Sequence, residues 1–489
     1  MRKTYLHISL IAFLLCISSI LSAQPRLTVV VVIDGLTQNN LTTMRPYWLA
    51  GGLRTLSEEA FQTTATFPHQ VYGGNETMAT LMTGTTPAHH SIAANSYFDR
   101  NDRIAKPILQ DHNSSGIGTN CALSPRSLLS ATITDEWRMR RGTQAKIYAI
   151  GLQAESTVLM AGHAANACCW LDNASKKWVT TAYYPEGLPT AANNMNTSGR
   201  IDMLLERKWE PSMDIALYNS CTESELKQSF SYQTKNHLLQ TPTANKLVIE
   251  LALAQQEDKQ LGVDITPDLL ILQLNTITPK AQSDAIESAE QEDIYMGLNQ
   301  DLGFLMEQLN KRIGKEHYQI LVIGRPIKGY SAKTLKMANL SIQHFNVDRA
   351  AALTGTYLMA IYGHERWVDG GHGPYIYLNR MLIEKKRMSL ETIQRQVANF
   401  LMDFEGVQVA YPIHEAITTD DKHSIYRKQA GDVYFKLQDN WLLYDTDNQP
   451  FDYVIQSQPT IPLLYWSGTM TTFPEGKLTA TDIKSLILR

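Results

Sequence analysis

The chain has 489 residues, 44% of them hydrophobic and 19% charged, with a formal net charge of −4. A near-neutral balance without a basic run excludes a surface built for nucleic acid, while the apolar content suffices to bury one large core or two domains. Beyond the first two dozen residues, no segment approaches the roughly 18 apolar residues that span a bilayer.

Arg2 and Lys3 precede an apolar run from Ile8 to Leu21, followed by Ser22-Ala23 before Gln24. This pattern predicts a secretory signal peptide over 1–23 and an exported chain, periplasmic or secreted. Cys16 lies inside the run without a lipoprotein context. Next comes Val29-Val30-Val31-Val32-Ile33-Asp34-Gly35-Leu36, a continuous β-branched run that reads as a strand buried on both faces. Asp34 closes it at the carboxyl end, where open α/β sheets place their ligands. A carboxylate buried there requires a cation.

Strands are predicted at Leu27–Ile33, Ala145–Leu152, Asp268–Leu274 and Gln319–Ile323, and helices at Ala244–Gln260, Ile286–Ile313 and Ser389–Phe404, the last with Ser389 as N-cap. Asp99–Thr119 reads as a polar loop and Asn173–Pro211 as a turn-rich lobe, so 24–489 is expected to be one domain with insertions near 99–130 and 173–240. Ile461–Trp466 reads as a final strand leading to a short helix, Thr479–Leu488. The alternation predicts an α/β sandwich, a largely parallel central sheet with helices on both faces. Cys121, Cys168, Cys169 and Cys221 match no zinc spacing; pairing of Cys121 with one of the others and burial as small apolar residues both stay open.

Thr83-Gly84-Thr85-Thr86-Pro87-Ala88-His89-His90-Ser91-Ile92 fits the pattern T-G-x-x-P-x-x-H-G-I, with Ser91 at its second glycine. It resembles the alkaline phosphatase superfamily, in the branch of nucleotide pyrophosphatase/phosphodiesterases and threonine-nucleophile alkaline phosphatases. The blocks Thr132-Ile133-Thr134-Asp135-Glu136-Trp137, Trp178-Val179-Thr180-Thr181-Ala182-Tyr183-Tyr184 and Thr241-Pro242-Thr243-Ala244-Asn245 resemble the threonine-nucleophile enzymes, in order along most of the chain. The resemblance implies an alkaline-phosphatase-like sandwich carrying two zinc ions. In such sites a hydroxyl attacks phosphorus and the metals activate it.

Position by position, the implied chemistry is broken. Asp34 matches the first metal aspartate. The nucleophile position, nine residues before the threonine of T-G, is Gly74, and Thr77 is the nearest hydroxyl. Metal positions fall on Thr278 and Gln282, then on Arg325 and Pro326, and finally near Phe451; no histidine follows His423. Asn95 matches an asparagine that binds phosphate oxygens, whereas the matching lysine and arginine fall on Gln153 and Glu155. Glu155 is expected to reverse the charge around an anionic ester, at a cost of several kcal/mol in a dry site.

Arg325 stands where a metal carboxylate would, so its guanidinium is expected to pair with Asp34 and replace the cation. His69, His89, His90 and His163 read as structural hydrogen-bonders rather than ligands. Asn75, Thr77 and Asn95 are candidates for a remnant polar pocket taking an uncharged ligand such as a sugar. The expected function is that of an exported binding or scaffold protein without catalysis and without a cofactor, its partner an unknown protein or small molecule. The rival is a zinc-dependent phosphomonoesterase or phosphodiesterase rebuilt around Asp34 and Thr77. A third possibility is a structural subunit of an envelope assembly, using the lobe or the Thr334–Gly373 surface.

Overall fold

In the computed structural model, strand β1 (Leu27–Asp34) is buried along its whole length. It lies between two parallel neighbours, β2 (Asp268–Asn275) and β3 (Tyr318–Arg325), which are equally buried. Each enclosed valine on β1 contributes roughly 1.5–3 kcal/mol through burial, so the strand fixes the middle of the molecule. The structure describes residues 25–72, 74–218, 228–280, 284–327, 343–438, 441–444, 450–452, 459–469 and 476–489. The predicted signal peptide, Cys16, Cys221 and Gln282 lie outside them.

The central sheet has ten strands in the order Leu478–Thr479, Phe61–Thr66, Thr460–Ser467, β3, β1, β2, Ile147–Gly151, Ala167–Asp172, Lys177–Thr181 and Gly116–Ile117. The five from β3 to Ala167–Asp172 are mutually parallel, and Thr460–Ser467 and Lys177–Thr181 flank them antiparallel. Side-chain alternation along β1 divides the core in two. Val29, Val31 and Ile33 face the helices Pro242–Lys259 and Ala289–Arg312. Val30 and Val32 face α1 (Asn75–Thr83) and α2 (Ala154–Ala161). Asp34 shares the parity of Val32 and therefore projects toward α1 and α2.

A separate lobe spans 343–437. Its antiparallel sheet joins Val368–His372, Tyr375–Leu378, Val433–Leu437 and Val407–Pro412 in that order. The helices Val347–Tyr362 and Leu390–Leu401 cover it around Leu358, Trp367, Ile376, Val397 and Phe435. Ser389 caps the second helix by accepting from the Thr392 amide.

The segments near 99–130 and 173–240 contribute ordered strands. Lys177–Thr181 and Gly116–Ile117 are strands of the central sheet, and Ser96–Asp99 pairs with Ile104–Pro107 in a hairpin. Their mixed polar composition follows from lying at or beyond the sheet edge, where one face meets water. Among the described residues the cysteines are free: Cys121 is exposed, while Cys168 and Cys169 are buried on one strand. The latter two belong to opposite cores, so neither pairs with Cys121.

Two imidazoles anchor α1, His69 from the loop before it and His90 from the T-G-x-x-P-x-x-H segment after it. His69 Nδ1 donates to the Gln70 carbonyl at 2.6 Å, leaving Nε2 to accept from Thr80 Oγ1 at 2.8 Å. His90 Nδ1 accepts from the Ile92 amide at 3.2 Å, so its Nε2 donates to Thr80 Oγ1 at 3.1 Å. Ser91 follows in the left-handed region at φ 74°, which explains why the pattern has glycine there. Burial pushes His69 down to about 4 and His90 well below the ordinary range. Both stay neutral in the native state while the unfolded chain takes up protons near 6.5.

Stability contributed by these rings is therefore present above pH 6.5 and is lost as pH falls toward about 4. His69→Gln keeps a hydrogen-bonding group but cannot titrate. It is expected to flatten the pH dependence of unfolding free energy by about 1.4 kcal/mol per pH unit within that window. Urea titrations between pH 4 and 7 check this, and an unchanged slope contradicts it.

Candidate functional site

The parallel register sets Asp34 opposite Arg325 on the last rung of β1 and β3. The two side chains meet with Arg325 Nε 2.6 Å from Asp34 Oδ1 and Nη2 2.6 Å from Oδ2, a bidentate fork. Asp34 is 0% exposed and Arg325 2%. Further hydrogen bonds hold both groups in place. Gln273 Nε2 donates to Asp34 Oδ2 at 2.7 Å, Arg325 Nη1 donates to Ser156 Oγ at 3.1 Å, and Nη2 reaches Gln153 Oε1 at 3.3 Å. Breaking such a buried pair from one side costs about 3–5 kcal/mol, because the other charge is left dry and unpaired.

The backbone around the pair is equally constrained. The Gly35 amide donates to the Arg325 carbonyl at 2.8 Å, and both the Thr276 amide and its hydroxyl donate to the Asp34 carbonyl. Gly35 takes φ +80°, and a Cβ on it would lie 2.2 Å from Thr276 Oγ1. Only glycine fits this turn.

Beside the pair, α1 presents a second acidic group. Glu76 is 0% exposed; its Oε1 accepts the Tyr72 amide at 2.8 Å and the Gly74 amide at 3.2 Å, while Oε2 has no partner. Burial pushes this carboxyl above the usual range, against a smaller opposing pull from Arg325. At Gly74 a Cβ would meet Asn95 Oδ1 at 2.5 Å and Glu76 Oε2 at 2.9 Å. Asn95 itself is exposed at the rim, where Oδ1 accepts the Asn75 amide at 2.9 Å. Thr77 is buried and its hydroxyl donates to the Gly74 carbonyl at 2.7 Å.

A family model for type I phosphodiesterase / nucleotide pyrophosphatase matches residues 28–461. The chain belongs to that family. It is 23% identical over 473 residues to alkaline phosphatase PafA of Elizabethkingia meningoseptica, covering 88% of this chain and 85% of that one. It is 26% identical over 326 residues to alkaline phosphatase PhoV of Synechococcus elongatus, covering 61% and 58%.

Among solved structures, PafA superposes with a TM-score of 0.83 at 21% identity over 95% of this chain and 96% of the other. Phosphonoacetate hydrolase from Sinorhizobium meliloti 1021 gives 0.56 at 13% identity, over 95% of each chain. At these identities the superpositions establish the fold, an alkaline-phosphatase-like α/β sheet.

Within this family frame the residues do not fit a zinc pair. The carboxylate of Asp34 is filled by Arg325 and Gln273, and a guanidinium occupies the space beside it. Among the described residues, no group of three or more His, Cys, Asp or Glu side chains is placed to hold a metal ion. Thr278 is buried with its hydroxyl unpartnered, Pro326 is buried at the end of β3, and Phe451 lies in a short strand of a separate three-stranded sheet.

The histidines are committed elsewhere: His89 Nδ1 contacts Thr86 Oγ1 at 3.2 Å, and His163 bridges Asp135 Oδ2 at 2.9 Å and the Leu128 carbonyl at 3.1 Å. One expectation needs correction. Glu155 is exposed in the first turn of α2, so water and salt screen its charge, and no several-kcal/mol penalty arises from a dry site. Asn75 and Thr77 are likewise buried rather than lining an open pocket; of that trio only Asn95 reaches the rim.

Gln273, Ser156 and Glu76 complete the cluster without having been singled out as site residues. The only sequence signal for Gln273 is a polar residue inside Leu269-Leu270-Ile271-Leu272-Gln273-Leu274.

Three substitutions test the electrostatics. Arg325→Met is expected to destabilise by about 3–5 kcal/mol, and adding Asp34→Leu to recover most of that loss, since an apolar pair leaves no orphaned charge. Urea midpoints with an unchanged slope measure both. For Glu76 the raised pKa means its contribution is present at acid pH and is lost as pH rises through the folded value. Glu76→Gln should therefore raise the melting temperature relative to the parent more at pH 8 than at pH 4.5.

Proposed function

We propose that this protein is a non-catalytic member of its family, exported from the cytoplasm, that binds a ligand or partner. The observation carrying this reading is the Arg325–Asp34 fork, a fixed protein cation in the position where the family's chemistry requires a metal cation. A mobile Lewis acid can polarise an ester oxygen and bind a nucleophile. A guanidinium that is 2% exposed and bonded to a carboxylate, Ser156 and Gln153 is committed to the interior rather than turned toward a substrate.

The nucleophile position supports the same reading. Gly74 carries no hydroxyl, and the space a threonine side chain would need is filled by Asn95 and Glu76. The hydrolase alternative, rebuilt on Asp34 and Thr77, would have to break the Asp34 fork and free the Thr77 hydroxyl from the Gly74 carbonyl. Function resides in the site rather than the scaffold, so retention of the fold carries no obligation to retain the reaction.

Metal content of the purified mature chain after incubation with Zn²⁺, together with hydrolysis of para-nitrophenyl phosphate and its bis-ester, tests this directly. Substoichiometric zinc and turnover at the buffer rate are expected. Stoichiometric zinc with turnover abolished by Asp34→Ala would establish a rebuilt hydrolase instead.

A further inference from the structure

On the face of the sheet opposite the Arg325–Asp34 pair, the helices Pro242–Lys259 and Ala289–Arg312 floor a basin walled by the segment Arg207–Ser212. About 390 Å³ of it is open to water, within the roughly 300–1,000 Å³ typical of small-ligand sites. Three cations, Arg207, Lys208 and Lys246, line it together with three carboxyl residues, Glu210, Asp293 and Asp301. We propose that this basin binds a small organic anion carrying at least two negative charges.

The wall that carries two of the cations is held in place before any ligand arrives. Lys208 and Trp209 pair antiparallel with Gln233 and Tyr232, and the Thr234 amide donates to the Arg207 carbonyl at 3.2 Å. Asp293, buried on the second helix, anchors the same segment. Its Oδ2 accepts from Trp209 Nε1 at 2.6 Å, and its Oδ1 accepts from the Ser212 amide at 3.0 Å and the Tyr218 hydroxyl at 2.6 Å. That carboxylate is committed inside the fold. On the floor, Pro242 packs on Gly297, where an added Cβ would lie 3.2 Å from the proline Cβ. Backbone fixed in this way gives up little conformational entropy on binding.

The charges left over favour an anion. The side chains of Arg207, Lys208, Lys246 and Asp301 form no hydrogen bond or ion pair with another described residue. The first helix adds an uncapped start: the Thr241 hydroxyl donates to the Leu238 carbonyl at 3.0 Å instead of capping, and Thr243, in the first turn, lines the basin. Orphan amides and the helix dipole favour negative charge at such an end. Glu210 is exposed at the rim, where water screens it. Asp301 is partly enclosed on the floor. Burial pushes its carboxyl up to about 7, with Lys246 opposing the rise and Glu250 adding to it. Glu250 is itself held by Arg200, whose Nε donates to Oε2 at 3.0 Å. Near neutral pH a large share of Asp301 is therefore uncharged, and Arg207, Lys208 and Lys246 are left in excess over Glu210 and the committed Asp293.

Other ligand classes fit less well. A cation would meet three like charges, and an uncharged molecule would displace water from them without replacing its hydrogen bonds to full effect. The basin is also separate from the ion pair. Val29, Val31 and Ile33 of β1 face its two helices, whereas Asp34 projects to the other side of the sheet. The proposal deepens the non-catalytic reading and rests on it for what kind of protein uses the basin, but the two fail separately. Anion binding accompanied by phosphoester turnover would sink only the loss of catalysis. Absence of both sinks only the anion site.

Isothermal titration calorimetry on the full mature chain at low ionic strength is the test, with citrate and glucose 6-phosphate as probes and glucose, glycine and putrescine as controls. Saturable binding of at least one of the two anions is expected, and which one binds tells a carboxylate ligand from a phosphate ligand. Affinity should fall by at least about tenfold in Arg207→Gln and in Lys246→Gln, which corresponds to about 1.4 kcal/mol. Both side chains are exposed, so these variants keep the fold. Asp301→Asn removes the opposing charge; relative to the parent it should tighten binding by up to about tenfold at pH 8 and change it little at pH 6. Binding of neither anion, tighter binding of any control, affinity unchanged in both cation variants, or affinity lost in Asp301→Asn would overturn the proposal.

Discussion

The carboxyl edge of this sheet is organised by one buried ion pair, Asp34 with Arg325. Removing two charges from water costs several kcal/mol per ion, and only saturated geometry repays it. The surroundings meet that demand. Register sets the two residues on the same rung, the fork is bidentate, and Gln273, Ser156 and Gln153 take up the outward-facing donors and acceptors. Gly35 and Thr276 then follow as consequences, because the chain must turn immediately after Asp34 while its carbonyl is still bonded. Each of these residues is there to keep two charges quiet.

That constraint bears directly on chemistry. A metal site needs ligands with spare electron pairs and a cation that can exchange substrate, whereas an arginine pair has neither. The closure extends to α1. Glu76 turns its Oε1 to the Tyr72 and Gly74 amides, and Asn95 Oδ1 lies where a side chain on Gly74 would begin. Placing a hydroxyl residue at Gly74 therefore meets a steric barrier from two neighbours, Asn95 and Glu76.

The central strands were legible because parallel strands enclosed on both faces are mostly apolar, and Leu27–Ile33, Asp268–Leu274 and Gln319–Ile323 each hold a run of at least four consecutive apolar residues. The Arg325–Asp34 contact was legible only through the family pattern, which aligned two positions far apart in sequence. Propensity alone could not have paired them. Gln273 and Ser156 were hidden because a single polar residue in an apolar run looks like an edge position until its register is known. Glu155 misled for the complementary reason: a sequence position says nothing about whether a helix turns that side chain inward or to water.

The second lobe escaped notice because its strands are short and its aromatic residues look like ordinary core. In an open α/β sheet the loops leaving the strand ends gather on one edge and leave a crevice there, whatever chemistry the edge performs. The Arg325–Asp34 pair closes the strand ends and leaves those loops where they were, so that on the reading proposed above the edge keeps its crevice without a metal-centred reaction.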